Sequence, residues 1–144
     1  MLARLWSAAL AGVEGQPVQV EVDLRPGLPA FDVVGLPGTA VLESRNRVRA
    51  ALRNSGFEMP LGRVTINLAP AGLRKEGPLF DLPMAAGILV AMGVGSPERA
   101  RGHGFLGELG LDGTLRPVSG VLAAAEALKG HVQAVVVPEA NGPE

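Results

Sequence analysis

Cysteine is absent from the 144 residues. That excludes disulfide frameworks, thiolate zinc sites and cysteine nucleophiles together, and it fits a reducing, cytoplasmic setting. Aromatic residues make up only 3%, with no tyrosine, so platforms for stacking nucleobases are few. Charge of either sign is thin: 13 Lys and Arg against 14 Asp and Glu leave a net charge of -1. No bulk positive field exists to hold nucleic acid or an anionic membrane, so any such binding must come from a local patch. Long hydrophobic runs are missing too. The longest, Leu82 to Gly95, is about a dozen residues, short of the roughly 20 that cross a bilayer. The start, Met1 to Ala11, carries a single Arg4 and no clustered basic region, so neither a signal peptide nor a membrane partner is expected.

Familiar chemical signatures are missing as well. There is no Gly-x-x-x-x-Gly-Lys-Ser/Thr and no Gly-x-Gly-x-x-Gly after a strand, and Gly102-His103-Gly104 lacks the lysine and the helix that should follow. This segment is therefore not expected to bind ATP. His103 and His131 each stand beside glycine rather than beside carboxylates at ligand spacing, which predicts no metal site. None of Ser7, Ser44, Ser55, Ser96 or Ser119 sits in a Gly-x-Ser-x-Gly elbow.

What is present is a 47% apolar content, enough for a core, and 20 glycines and 12 prolines that fall singly between periodic segments. Arg4 to Ala11 reads as a strand. Pro17 to Leu24 alternates with Val18, Val20, Val22 and Leu24 on one face, and Ala30 to Gly35 follows as a third strand. Thr39 is placed to cap a helix running to about Asn54, with Val41, Val48 and Leu52 along one side. Arg63 to Ala69 returns to β, and Pro70 to Phe80 is an irregular loop. Asp81 is placed to cap a second helix with Pro83 in its first turn, ending near Gly93. Ser96 to Gly104 reads as exposed. Phe105 to Leu109 and Thr114 to Val118 form a hairpin across Asp112-Gly113. Ser119 caps a third helix reaching Lys129, and Ala134 to Val137 is the last strand. The expectation is an α/β (α+β) domain, a mixed sheet covered by three helices in the order βββαβαββαβ. It spans residues 1–138, with 139–144 as a linker toward a missing module.

Two concentrations of charge remain. Arg45, Arg49 and Arg53 recur every four residues on the first helix, with Arg47 on the opposite flank, and neither Arg49 nor Arg53 has a Glu four residues before it. The stripe is either a solvated basic face or a patch that tracks phosphates at one-turn spacing. Arg74 and Lys75 stand in the long loop just before the second helix, either as surface charge or presented to a phosphate or a neighbouring subunit's carboxylate.

Two long stretches, FDVVGLPGTAVLESRNRVRAAL from Phe31 to Leu52 and VTINLAPAGLRKEGPLFDLP from Val64 to Pro83, closely resemble the N-terminal domain of the ComM/YifB family of Mg-chelatase-like AAA+ ATPases. The likeness covers essentially the whole chain. It implies a Lon-protease-like domain ahead of an AAA+ motor that holds ATP and Mg and assembles as a hexamer. It also implies a part in DNA processing: branch migration that integrates single-stranded or branched DNA during natural transformation and recombination. The chelatase label in the family name reflects motor similarity. Lon-type peptidases use a Ser-Lys dyad. Here the run Lys75-Glu76-Gly77-Pro78-Leu79 has Leu79 where the serine would stand, and Pro117-Val118-Ser119-Gly120-Val121 is followed by Leu122 where the lysine would stand. An aliphatic side chain can neither attack a carbonyl nor take a proton, so the resemblance implies a domain without catalytic residues. It would guide DNA through Arg45, Arg49, Arg53, Arg74 and Lys75, or support the ring, or both. The alternatives are a purely structural oligomerisation module, or a residual peptidase built on Ser119 and Lys129.

Overall fold

A computed structural model describes residues 1–141. Apolar alternation at period two lays down the long hairpin of β1 (Leu2–Ala11) and β2 (Glu14–Arg25), in register from Leu2 opposite Asp23 to Ala11 opposite Glu14. β3 (Ala30–Val34) runs into α1 (Thr39–Asn54), and the chain returns as β4 (Arg63–Ala69), parallel to β3 and antiparallel to β2. A 3-10 turn at Pro78–Phe80 leads into α2 (Asp81–Ala91), then α3 (Pro97–Arg101) and β5 (His103–Phe105). A two-stranded ribbon of β6 (Glu108–Leu109) and β7 (Leu115–Arg116) precedes α4 (Val121–Leu128) and β8 (Ala134–Val136). The main sheet is mixed and six-stranded, in the order β3-β4-β2-β1-β5-β8.

The expected mixed α/β class holds, and four details differ. Four helices appear among the described residues rather than three. The stretch expected to be exposed, Ser96 to Gly104, contains α3, whose start is capped by the Ser96 hydroxyl accepting from Arg99 N at 3.3 Å. The expected hairpin from Phe105 shrinks to β6 and β7, because His103–Phe105 pairs in parallel with β1 and β8 instead. Its turn is nevertheless the expected one: Asp112 accepts from Thr114 N and Oγ1, and Gly113 has φ +91°. The three expected caps are not caps. Gly38 precedes α1, Phe80 precedes α2 and Gly120, in the left-handed region at φ +79°, precedes α4, none with a side-chain cap.

The helices divide between the two faces of the sheet. α2 packs on β1 and β2 through Met84, Gly87 and Ile88, against Leu5, Val20 and Val22, and α1 lies beside it with Val41, Val48 and Leu52 buried. α4 covers the other face, where a Cβ on Gly15 would meet Ala123 O at 2.6 Å and one on Gly104 would meet Leu128 Cδ1 at 2.7 Å. Those two glycines let the helix approach the backbone of the sheet. The chain then closes on itself. Glu139–Asn141, expected in a linker, form a 3-10 turn, and buried Asn141 accepts from Val118 N at 3.0 Å and donates to Val118 O at 3.1 Å. Residues 142–144 of the expected linker lie outside the described residues.

Candidate functional site

The arginine stripe on α1 is divided by its surroundings. Arg45 is used inside the fold: its Nε donates to Leu42 O at 3.0 Å and its Nη1 to Phe31 O at 3.3 Å, which blocks a carbonyl of edge strand β3. Arg49 lies over the Phe31 ring, its guanidinium carbon 5.1 Å from the centroid. Arg53, one turn on, is exposed and has no carboxylate partner among the described residues. Arg49 and Arg53 share a groove of about 240 Å³, walled by Pro29, Ala30, Phe31, Met59, Pro60 and Val64. Among the described residues its only charged lining groups are the two guanidiniums.

The second predicted patch is not joined to the first. Arg74 is exposed and paired with Glu76 at 2.6 Å. Lys75, expected as a surface cation, is buried, and its ammonium donates to Pro70 O. Burial without a carboxylate partner lowers its pKa from the ordinary lysine value. Its backbone explains the placement: Lys75 N donates to Leu36 O at 3.0 Å, and Lys75 O accepts from Gly38 N at 2.7 Å, stitching the loop to the turn that starts α1. That turn is tight, with Leu36 at φ +56° and a Cβ on Gly35 falling 2.2 Å from Leu68 O. The loop therefore sits at the N-terminal end of α1 and the groove toward its C-terminal end, on a helix of 16 residues that is about 24 Å long at 1.5 Å per residue.

Arg47, on the opposite flank as expected, anchors a buried polar cluster that the sequence reading missed. Asp81, with no exposed surface, receives Arg47 Nε at 2.6 Å and Nη2 at 3.1 Å, the Ser44 hydroxyl, and Leu109 N at 3.0 Å. The hydrogen bond to Asp81 raises the Arg47 pKa further, keeping it charged. The signal in the sequence was a lone carboxylate inside the apolar run Leu79-Phe80-Asp81-Leu82-Pro83. A charge so placed needs a partner.

The two positions that correspond to the Lon dyad part company. Leu79 is 5% exposed and lines a cleft of about 300 Å³ with Pro117, Val118, Ser119, Glu76 and Glu108. Leu122 is 66% exposed on α4. Lys129, the other half of the alternative pair with Ser119, lies beyond the C-terminal end of α4 and bridges to Glu126 at 3.2 Å. Among the described residues no three His, Asp or Glu side chains gather to hold a metal ion, and no helix is long and apolar enough to cross a membrane.

Residues 20–141 match the family described as subunit ChlI of Mg-chelatase. An uncharacterized protein of Mycobacterium tuberculosis is 46% identical over 144 residues, covering 99% of this chain and 29% of the relative. YifB of Escherichia coli is 42% identical over 139 residues, 96% of this chain and 28% of the relative. Competence protein ComM of Haemophilus influenzae is 43% identical over 143 residues, 99% and 28%. A more distant likeness, 26% over 144 residues (94% and 18%), is to a Lon protease of Lachnoclostridium phytofermentans, consistent with the mixed α/β fold. The chain spans less than a third of the length of the curated relatives it matches.

Proposed function

The chain belongs to the family of subunit ChlI of Mg-chelatase, together with YifB and ComM, and from that premise we propose that it is the non-catalytic N-terminal domain of a hexameric AAA+ ATPase that remodels DNA in recombination and natural transformation. Its task is to guide single-stranded or branched DNA toward the motor. The observation that supports guidance is the Arg49–Arg53 groove, two cations at one-turn spacing with no acidic side chain among its lining residues. Arg74, on the separate loop, adds a peripheral contact, whereas Arg45 and Lys75 are engaged within the fold and position backbone rather than ligand. ATP and Mg belong to the motor, because the sequence here carries no phosphate-loop motif and no carboxylate cluster gathers for the ion among the described residues. Leucine at positions 79 and 122 supports a domain that has kept a peptidase-like scaffold without its chemistry. The cytoplasm is the compartment this role requires.

Fluorescence anisotropy against labelled single-stranded DNA and a four-way junction, at two salt concentrations, tests the reading. Salt-sensitive binding that Arg49→Glu with Arg53→Glu abolishes supports it, and affinity unchanged by the reversal overturns the DNA contact. A second reading, ring support, is favoured by edge strand β3 and the turn after it, where Val34 and Leu36 are each about half exposed. Light scattering showing self-association that Val34→Glu disperses would favour it.

A further inference from the structure

The Arg49–Arg53 groove is half charged and half apolar, and the two halves make different demands on a ligand. Two guanidiniums with no carboxylate partner among the described residues ask for an anion. Apart from Gly62, which has no side chain, the remaining walls are Pro29, Ala30, Phe31, Met59, Pro60 and Val64, which present no side-chain donor and only the weak thioether acceptor of Met59, and neither proline has an N–H to offer. A free inorganic anion would leave that apolar surface wet. At about 240 Å³ the space is smaller than the roughly 300–1,000 Å³ of pockets that enclose drug-sized molecules, and it is open at the protein surface. Arg49 is also pre-placed, held over Phe31 at 5.1 Å, so little rotamer freedom is lost when it engages a ligand. A guanidinium backed by an aromatic ring is a platform on which a flat π-system can lie.

We propose that this groove is a single-nucleotide subsite on single-stranded nucleic acid: one unstacked base enters against Met59, Pro60 and the guanidinium of Arg49, while the adjoining phosphate is held by Arg53. The inference rests on the DNA-guiding reading above and narrows it. It explains how a chain with 3% aromatics and no tyrosine can hold single strands, since the stacking surface is an arginine rather than a ring. With Arg49 under the base face, Arg53 on the phosphate and no other polar side chain lining the groove, no base edge is read and the subsite accepts every base, as a guiding domain requires.

The test compares a labelled oligothymidylate with an oligonucleotide of equal length made of abasic sites, each titrated against this chain by anisotropy. The expected result is about a 5- to 150-fold preference for the base-bearing strand, the range for loss of one stacked base. Met59→Gln should erase most of that preference at unchanged salt dependence, and Arg53→Gln should weaken both strands equally. Photocrosslinking of unaltered protein to an iodouracil-bearing strand, expected within residues 57–62 or at Phe31, locates the base without any variant. Equal affinity for the two strands, or crosslinks confined elsewhere, overturns the subsite and leaves a phosphate-only contact standing. Binding of neither strand overturns the DNA-guiding reading and the subsite with it.

Discussion

Asp81 accepts from three partners and has no exposed surface, so the cost of removing it falls on what it leaves behind. Asp81→Ala strands the Arg47 cation, the Ser44 hydroxyl and the Leu109 N–H in a partly dry site. Breaking one side of a buried pair costs about 3–5 kcal/mol, whereas replacing both sides with apolar groups is often close to neutral. Urea denaturation should therefore show a large loss for Asp81→Ala, a similar loss for Arg47→Met, and substantial recovery in Asp81→Leu with Arg47→Met. Additive losses in the double variant would mean that the pair is not coupled.

Lys75 makes stability depend on pH. Its folded-state pKa is lowered by burial. Below the lowered folded value both states are protonated, and the folded state bears the desolvation cost. As pH rises through the lowered folded value toward the unfolded value of about 10.4, the native state loses its proton first and the unfolded chain binds more protons, so stability rises with pH. Lys75→Met has no such proton to lose. Chemical denaturation at stepped pH should show the wild type gaining on the variant across that alkaline window, and parallel curves would count against the assignment.

At the scale of elements, the closeness of helix to sheet is set by glycines. Gly87 lies inside α2, where alanine would ordinarily gain about 0.8–1.0 kcal/mol of helix propensity. A Cβ there would sit 2.5 Å from Val22 Cγ2, a methyl group in the core. Overpacking costs about 1–3 kcal/mol, so Gly87→Ala should be net destabilising. Gly15→Ala should cost more, because its obstacle is the backbone oxygen of Ala123 at 2.6 Å rather than a side chain. Gly72→Ala, with nothing within 4 Å, is the control. Melting temperatures in the order control, Gly87→Ala, Gly15→Ala, highest first, would bear this out, and a stabilised Gly87→Ala would refute it.

The same scale shows what could be read from the sequence. β2, α1 and β4 carry enough periodic residues to be legible in advance, α2 is legible as an apolar run between Pro83 and Gly93, and α1 ends at Asn54 as expected. α3, β5, β6 and β7 have five residues or fewer, too few for a period to declare itself. The caps failed for a related reason. Thr39, Asp81 and Ser119 suit the role locally, but Asp81 is claimed by Arg47, 34 residues away, and long-range partners leave no local mark. Lys75 was misjudged likewise, since its charge advertised a surface and its backbone bonds to Leu36 and Gly38 drew it inward. Of the arginine stripe, spacing alone could not separate Arg45, engaged with Phe31 O, from Arg53, which is open.

For the whole molecule, a net charge of -1 means that attraction to DNA cannot come from the protein's overall field. If guidance is local, the position of a charge change must matter more than its amount. Arg49→Glu with Arg53→Glu takes the formal charge from -1 to -5, since each reversal removes one positive and adds one negative charge. Arg99→Glu with Arg101→Glu makes the same change on α3. That helix packs against β1 and β5, and β5 is four strands from β3 in the sheet, roughly 19 Å at 4.8 Å per strand. That separation exceeds the Debye length of about 8 Å at physiological ionic strength. Each phosphate contact on a single strand contributes about 0.7 to the slope of log affinity against log salt. With the phosphate contact of Arg53 lost, the α1 reversal should therefore flatten the slope by about 0.7 and weaken binding sharply, while the α3 reversal leaves the slope near the wild-type value. Equal effects from both pairs would show that net charge, not the groove, governs the contact, and DNA guidance would then have to be sought in the motor.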